Sequence, residues 1–181
     1  MGSSSANSVK LPTVIVLASG RGERFIASGG ATHKLKALLH GKPLLQHTLD
    51  AVTASGLPWH LEDAGRPGMG DSIAAAVRAT PDAAGWLILP GDLPLVQPQT
   101  LRELATALPS RDVVVPVYQG RRGHPVRFAA RLGAALMALS GDRGAAEIAR
   151  AAGITELPVS DAGCVTDIDT LQDLQHAAAG L

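Results

Sequence analysis

Residues 13–25 constrain the fold more than any other stretch, because they join a buried strand to a glycine-rich turn. They read T-V-I-V-L-A-S-G-R-G-E-R-F. The apolar run over residues 13–17 is rich in β-branched side chains, which is typical of a strand buried on both faces of a parallel sheet. The sequence therefore predicts a central strand of an α/β domain that leads directly into a tight turn.

The turn after this strand has the chemistry of a phosphate site. Small residues over positions 18–22 leave backbone N–H groups accessible, and Arg21 and Arg24 supply guanidinium groups that pair with phosphate oxygens. Phe25 stands where a Walker A loop and a dinucleotide fingerprint both require glycine, so the spacing excludes these two motifs. An ordinary strand-to-helix turn with incidental basic residues remains the structural alternative.

Two further charged residues follow the buried strands. Lys34 is either a phosphate ligand or a solvated surface charge. Asp92 comes directly after the second buried run, residues 85–89, at the sheet edge where α/β proteins bind ligands. A carboxylate beside phosphates is what Mg²⁺ requires, with Mn²⁺ as the other possible ion, although a turn aspartate can also bond its own backbone.

Three other segments leave a structural and a functional interpretation open. The turn with Gly68, Gly70 and Ser72 either approaches a ligand or starts a helix that Asp71 or Ser72 caps. Residues 119–128 form a loop or hairpin that suits a second anion or is a solvated turn. Residues 167 and 169 are aspartates that share a face of extended chain, and the first is the better candidate for metal or ligand binding, because the second precedes a Thr cap.

The composition bounds the function. The 16 basic and 16 acidic residues balance, and 3% aromatic residues leave little for base stacking, so nucleic acid and anionic membranes are not expected as partners. One cysteine excludes an internal disulfide, and no apolar run approaches the roughly 20 residues of a membrane helix. The expectation is a cytoplasmic protein with a mobile tail at residues 1–10 and one domain at residues 11–181.

Apolar patterning predicts alternating strands and helices across that domain. This alternation is typical of a single-domain, three-layer α/β/α sandwich with a mostly parallel, Rossmann-like sheet. Predicted strands cover residues 13–17, 57–63, 85–89, 112–118 and 154–159, and predicted helices cover residues 43–55, 73–79, 99–108, 129–139, 145–152 and 171–179.

Seven ordered motifs together resemble one known family, the nucleotidyltransferases with a glycosyltransferase-A-like fold. Within it, the chain is most similar to the molybdenum cofactor cytidylyltransferases and guanylyltransferases. The motifs span nearly the whole chain: V-I-V-L-A-S-G-R-G-E-R-F with Lys34, L-H-G-K-P-L-L at 39–45, G-M-G-D-S-I-A-A-A-V at 68–77, L-P-G-D-L-P-L-V at 89–96, R-G-H-P-V at 122–126, G-D-R-G-A-A at 141–146 and D-I-D-T-L-Q-D-L at 167–174.

The resemblance implies a role for each matching segment. It implies metal-dependent transfer of a nucleoside monophosphate to the phosphate of a molybdopterin-type acceptor, with loss of pyrophosphate, and a molybdoenzyme or its chaperone as a possible partner. Arg24, Lys34 and Asp92 would be catalytic. Asp92 and Asp167 would hold the metal, with Asp169 as the alternative to Asp167 at the metal or substrate side. The nucleotide would contact Leu17, Ala18, Ser19, Gly20, Gly22, Arg24, Lys34, Gly68, Gly70 and Ser72, and the acceptor would contact Arg122, His124, Asp142 and Gly144.

Two departures from the family pattern bear on the activity. Ser19 stands where cytidylyl enzymes have alanine and guanylyl enzymes glycine, while the R-G-E-R-F continuation resembles the cytidylyl side, so CTP is favoured. Only residues 57–67 stand where the family usually has a strand-helix-strand segment. This shortening supports an alternative, a non-catalytic cofactor carrier or chaperone, and a sugar-1-phosphate nucleotidylyltransferase is a third hypothesis.

Overall fold

The computed structural model describes residues 10–20, 22–31, 33–108 and 111–180. In chain order the strands are β1 (Thr13–Leu17), β2 (Leu38–Leu39), β3 (Lys42–Pro43), β4 (Trp59–Glu62), β5 (Gly85–Pro90), β6 (Val113–Tyr118), β7 (Arg121–Arg122), β8 (Val126–Ala129) and β9 (Ile154–Pro158). The α-helices are α1 (Glu23–Ala27), α2 (Leu44–Ser55), α3 (Met69–Ala79), α4 (Pro98–Thr106), α5 (Gly133–Met137), α6 (Ala146–Ala152) and α7 (Leu171–Ala179). Short 3₁₀ turns cover Lys34–Lys36, Ala130–Leu132 and Ala162–Val165.

Seven of the strands form the central sheet, in the order β4-β1-β5-β8-β6-β7, with β9 also paired to β6. β1 runs parallel to β4 and β5, and β6 runs parallel to β9, whereas β7 and β8 are antiparallel to their neighbours. Five strands therefore point the same way and end at one edge of the sheet. The predicted mostly parallel α/β fold is confirmed.

Alternating side chains of β1 show why the sheet has a helical layer on each face. Val14 and Val16 are fully buried in a core cluster shared with α2 and α4. Ile15 points the other way, into a second cluster that includes Ile73 of α3 and Leu136 of α5. Both faces of the strand are apolar because both are covered, which accounts for its continuous hydrophobic run.

The shortened segment between α2 and α3 is a single strand. β4 covers Trp59–Glu62, within the range predicted from residues 57–63, and lies at the edge of the sheet next to β1. Residues 63–68 then lead directly into α3. The strand-helix-strand segment expected of the family is thus reduced to one edge strand, and the loop after it borders the carboxyl edge of the sheet.

The predicted helix over residues 129–139 is the largest difference from the sequence-based expectation. Val126 to Phe128 pair with β5, opposite Ile88 to Trp86, and Phe128 is buried. This pairing extends strand β8 to Ala129, and a 3₁₀ turn follows before α5 begins at Gly133. Pairing with the central sheet therefore determines where the helix begins, which local propensity does not reveal.

Two expectations concern the ends of the chain and the membrane. Of the predicted tail at residues 1–10, all but Lys10 lies outside the described residues. Within residues 10–20, 22–31, 33–108 and 111–180, none of the helices has the length and apolar character that crossing a membrane requires.

Candidate active site

The glycine-rich loop lies between the ends of β4 and β5. The Ala18 N–H donates to the Glu62 carbonyl at 2.9 Å, and the Gly91 N–H donates to the Leu17 carbonyl at 2.9 Å. Gly22 ends the loop with φ +65°, and a Cβ atom there would lie 3.1 Å from Lys34 Cβ. Glycine is required at this position by the backbone conformation and by the close approach of Lys34. Arg21, the first of the two predicted guanidinium groups, lies outside the described residues.

Beside this loop, one ion-pair network joins four charged residues, Arg24, Lys34, Asp92 and Asp169. Lys34 Nζ donates to Asp92 Oδ2 at 2.6 Å and to Asp169 Oδ1 at 2.8 Å. Arg24 Nη1 lies 2.6 Å from Asp169 Oδ2. The side chains of Lys34, Asp92 and Asp169 are 13%, 16% and 19% exposed, so the network is mostly shielded from solvent apart from Arg24.

Lys34 stays protonated at its position between the two carboxylates. Burial alone lowers the pKa of a lysine, but the charges and hydrogen bonds of Asp92 and Asp169 outweigh that effect and leave the Lys34 pKa above its usual value. The ammonium group therefore provides a fixed positive charge at the carboxyl edge of β1 and β5.

Asp92 has one carboxylate oxygen that forms no hydrogen bond with any other described residue. Its backbone carbonyl accepts from the Ile168 N–H at 3.0 Å, which ties the turn after β5 to the segment before α7. Asp92 Oδ2 bonds Lys34, whereas Asp92 Oδ1 is buried and has no hydrogen-bond partner within the described part of the chain. A buried carboxylate oxygen without a donor is suited to a cation.

The second glycine turn packs against another loop, and this contact explains its glycines. A Cβ atom on Gly68 would lie 2.1 Å from the Gly141 carbonyl oxygen, and one on Gly70 would lie 2.5 Å from the Arg143 carbonyl oxygen. The Gly70 N–H also donates to the Gly141 carbonyl at 2.8 Å. The close approach that these glycines permit is to the loop over residues 140–144.

Two serines join the glycine loops, and neither Asp71 nor Ser72 caps α3. Gly68 is the N-cap residue and no side chain bonds the helix start. Ser72 Oγ donates to the Gly68 carbonyl at 3.1 Å and lies 2.7 Å from Ser19 Oγ, while Asp71 Oδ2 accepts from the Gly141 N–H at 3.1 Å. Ser19 is therefore part of a hydroxyl contact between the two loops.

The opposite wall consists of the hairpin after β6 and the start of α6. The His124 N–H donates to the Cys164 carbonyl at 2.8 Å, which places the imidazole ring at the cavity. The ring is open to the cavity, but the surrounding protein desolvates it and lowers the His124 pKa, while the negative charges of Asp92 and Asp167 and the Ile88 carbonyl act in the opposite direction. A neutral imidazole at neutral pH follows.

These segments enclose one cavity of about 1,090 Å³ at the carboxyl edge of the sheet. Of the predicted site residues, Ala18 and Gly70 do not line it; their N–H groups donate to the carbonyls of Glu62, at the end of β4, and of Gly141. The predicted site residues that line it are Leu17, Ser19, Gly20, Gly22, Arg24, Lys34, Gly68, Ser72, Asp92, Arg122, His124, Asp142, Gly144 and Asp167.

Four charged residues outside the predicted site residues also line the cavity, namely Glu23, Arg66, Arg121 and Arg150, and so does Asp169, the predicted alternative to Asp167. The local sequence favours a helix-start role for Asp169, and the family resemblance makes it the alternative to Asp167 at the metal or substrate side; its carboxylate bonds Lys34 and Arg24. Its i, i+2 spacing from Asp167 was the available signal. Arg121 lies in the arginine-rich hairpin that the sequence singled out, whereas nothing in the local sequence pointed to Arg66 or Arg150.

The residues described contain no group of three or more His, Cys, Asp or Glu side chains placed to hold a metal ion. Two carboxylates joined through Lys34 are available instead. This arrangement suits Mg²⁺, which proteins commonly hold through one or two carboxylates while waters and substrate phosphates complete the shell.

Comparison with known proteins assigns the chain to a family. The model of the MobA-like NTP transferase domain matches residues 50–157, more than half of the chain. The bifunctional protein GlmU of Halorhodospira halophila is 32% identical in an alignment of 114 residues that covers 50% of this chain but only 23% of that protein. This chain thus spans about a quarter of the length of that curated relative.

Solved structures with the same fold extend over nearly the whole chain. Rv0371C of Mycobacterium tuberculosis H37Rv, solved as a complex with manganese, has a TM-score of 0.71 at 22% identity, covering 94% of this chain and 100% of that one. The molybdopterin-guanine dinucleotide biosynthesis protein A of Archaeoglobus fulgidus has a TM-score of 0.67 at 20% identity, with 92% and 97% covered. The sheet order, the glycine-rich loop and the family match lead to one conclusion: this chain belongs to the MobA-like NTP transferase domain family.

Proposed function

We propose that the protein is a metal-dependent nucleotidyltransferase that moves a nucleoside monophosphate, CMP by preference, from a nucleoside triphosphate to the phosphate of a molybdopterin-type acceptor. The observation that carries the proposal is the network of Arg24, Lys34, Asp92 and Asp169 beside the glycine-rich loop. Two cations and two carboxylates at the ends of β1 and β5 suit a triphosphate and its counter-ion.

The reaction needs little covalent chemistry from the protein. An acceptor phosphate oxygen forms a bond to the α-phosphorus, and the bond from that phosphorus to the α–β bridging oxygen breaks. Pyrophosphate leaves with the electron pair of the broken bond. Arg24 and Lys34 would neutralise the charge on the β- and γ-phosphates, and positioning by the two loops would align the attacking and leaving oxygens.

A divalent cation fits the acidic side of this site. Asp92 offers a buried oxygen without a donor, and Asp169 shares Lys34 with it, so these two carboxylates would hold the ion. Asp167, predicted as the second ligand, lines the same cavity and remains a candidate. When bound, the cation would neutralise phosphate charge.

The opposite wall has the features of an acceptor site. Arg121, Arg122 and Arg150 line it, and His124 is neutral at neutral pH. Arg121 Nη2 donates to the Val165 carbonyl at 3.3 Å, and Arg122 Nε donates to Glu156 Oε1 at 2.8 Å, so both side chains are held by the fold. Held guanidinium groups suit a phosphorylated acceptor, and neutral His124 adds a hydrogen bond without further charge.

Pyrophosphate release is the experiment that tests the proposal. Purified protein with Mg²⁺ would be incubated with CTP, GTP, UTP or ATP, each with and without molybdopterin, and in parallel with a sugar 1-phosphate. We expect release that depends on molybdopterin and is largest with CTP. Mn²⁺ in place of Mg²⁺ would test the choice of ion.

The controls separate the enzyme from the alternatives. Asp92→Asn should abolish release while nucleotide binding is still detectable. Pyrophosphate release with the sugar 1-phosphate alone would favour the sugar-nucleotide reaction. Tight molybdopterin binding without release from any triphosphate would favour a carrier, because the pocket would then be retained without turnover.

A further inference from the structure

Arg66 lies in the short loop between β4 and α3 and lines the same cavity, at a position outside every motif that carries the family resemblance. Its Nε donates to Glu62 Oε1 at 3.0 Å. The Glu62 side chain is 6% exposed, whereas that of Arg66 is 41% exposed. A buried carboxylate therefore anchors a guanidinium group that is itself open to the cavity.

Glu62, which holds Arg66, lies in the strand next to β1, and β1 leads into the glycine-rich loop. Glu62 is the last residue of β4 and pairs with Leu17, the last residue of β1. Its backbone carbonyl accepts from the Ala18 N–H, and its Oε1 also accepts from the Ala64 N–H at 3.3 Å. Arg66 is consequently held at a fixed place relative to the loop that would bind the phosphates.

The free end of Arg66 presents a planar pair of donors. Within the described residues its Nη atoms form no hydrogen bond, because Glu62 engages only Nε. A guanidinium group held at Nε projects its two terminal amino groups in one plane, as a rigid fork. Such a fork matches two acceptor atoms that lie side by side on a flat ligand.

The position of the fork relative to the charged network suits a nucleobase better than a phosphate. Asp92 and Lys34 lie at the end of β5, while Glu62 ends β4, and β1 separates these two strands. Strands in a sheet are about 4.8 Å apart, so the two ends are separated by roughly 10 Å. A nucleotide with its phosphates at Lys34 would reach Arg66 with its base.

Resting on the proposed nucleotidyltransferase function, we infer that Arg66 determines base specificity by donating two hydrogen bonds to adjacent acceptors on the base. Cytosine presents O2 and N3 in this way, and guanine presents O6 and N7. Uracil carries a hydrogen on N3, and adenine carries an amino group beside N7, so each would place a donor against the fork. The site therefore selects CTP or GTP over UTP and ATP, and Glu62 is a positioning residue.

Equilibrium binding of the four triphosphates with Mg²⁺, without acceptor, tests this inference. Wild-type protein should bind CTP or GTP at least about tenfold more tightly than UTP and ATP, since a bidentate pair discriminates by that factor or more. Arg66→Gln and Arg66→Lys should reduce that ratio to about threefold or less. Arg66→Lys is decisive, because it retains the charge and loses the fork.

Two further variants complete the experiment. Arg102→Gln is the matched control, because Arg102 is an exposed arginine on α4 that bonds Gln99 and the Ala54 carbonyl away from the cavity, and it should keep the wild-type ratio. Glu62→Gln should weaken the discrimination less than Arg66→Gln does. The CTP and GTP arms identify which of the two bases the fork accepts.

The inference is overturned if both Arg66 variants keep the wild-type ratio, or if they weaken all four nucleotides by the same factor, as a phosphate ligand would. It is also overturned if wild-type protein binds all four triphosphates equally well. In each case nucleotide binding itself persists, so the proposed nucleotidyl transfer stands, and only equal binding of all four triphosphates would also remove the preference for CMP. If wild-type protein binds none of the four, the proposed function fails and the inference fails with it.

Discussion

The Lys34 ammonium group donates to the Asp92 carboxylate at 2.6 Å, although 58 residues separate the two in the chain. The fold brings them together because β1 and β5 are neighbouring parallel strands: Asp92 follows the end of β5, and the 3₁₀ turn that begins at Lys34 comes after the glycine-rich loop and α1, which follow β1. This contact is part of the network that also includes Asp169, so a change at any member changes the charge at the proposed phosphate site.

Replacing Asp92 should affect catalysis far more than folding. In Asp92→Asn, Lys34 keeps Asp169 as its partner, so we expect the free energy of unfolding to fall by only about 1 kcal/mol. Pyrophosphate release should fall on the order of 100-fold or more, because a group that supports charge neutralisation contributes several kcal/mol to the barrier. Urea unfolding and the release assay measure the two effects.

An exposed ion pair is the control for that prediction. Lys42 Nζ lies 2.7 Å from Asp50 Oδ2, with side chains that are 46% and 47% exposed. Asp50→Asn should leave release unchanged and change stability little, since solvent screens such exposed pairs. Equal losses of release in Asp50→Asn and Asp92→Asn would contradict the proposed role of Asp92.

Lys34 should compete with a divalent cation when no nucleotide is bound. Its ammonium group bonds both carboxylates that would hold the ion. We expect Lys34→Met to raise Mn²⁺ affinity on the order of tenfold, because it removes a like charge from the site. Electron paramagnetic resonance of free Mn²⁺ measures this binding, and an Mn²⁺ affinity that falls in Lys34→Met would exclude Asp92 and Asp169 as the ligand pair.

The sequence predicts the positions of the glycine-rich loop and of Asp92 because each follows a buried apolar run, whereas Lys34 becomes a candidate only together with the glycine-rich loop before it. A β-branched run followed by small residues indicates a buried strand and a tight turn, and parallel strands bring such turns to one edge of the sheet. The sheet order confirms that expectation for β1 and β5.

The remaining features depend on contacts between distant segments. Asp169 has the local pattern of a helix start, and its N–H does donate to Asp173 Oδ2 at 3.0 Å, but its side chain extends to Lys34, 135 residues away. Arg66 faces the cavity because Glu62 is fixed by β1. The i, i+2 spacing of the two aspartates indicates that Asp169 can face a ligand but not that it pairs with Lys34, and nothing in the local sequence indicates that Arg66 faces the cavity.

Alanine variants of Gly68 and Gly20 distinguish a glycine that packing requires from a glycine that ligand binding would require. Gly68→Ala would place a Cβ atom 2.1 Å from the Gly141 carbonyl oxygen, so we expect a loss of roughly 1–3 kcal/mol in the free energy of unfolding. A Cβ atom on Gly20 meets no other described residue within 4 Å, so Gly20→Ala should leave thermal stability unchanged.

The same two variants also test whether the phosphates of the nucleotide approach the glycine-rich loop. If the loop cradles phosphates, the added methyl group in Gly20→Ala should weaken CTP binding at least several-fold at unchanged stability. Calorimetric titration of CTP and thermal unfolding of both variants provide the measurements. Unchanged CTP affinity in Gly20→Ala would argue that phosphates do not approach the loop at this glycine.

Cys164 should be unreactive in the folded protein. The residue is fully buried, and desolvation, followed by the charge of Asp161, raises the pKa of its thiol to about 11. At pH 8 the thiolate is therefore scarce, and a disulfide reagent should modify the native protein far more slowly than the unfolded protein. A fast native reaction at pH 8 would contradict the buried position of Cys164.

The raised pKa of the Cys164 thiol also determines whether the free energy of unfolding rises or falls with pH. Between about pH 9 and pH 11 the unfolded chain loses the thiol proton while the folded chain retains it, so the folded state binds more protons and the free energy of unfolding falls as pH rises. The slope contributed by one such group is at most about 1.4 kcal/mol per pH unit. Urea unfolding at pH 8 and pH 10 should therefore show a smaller loss of stability in Cys164→Ala than in wild type, and equal losses would show that the thiol ionises alike in both states.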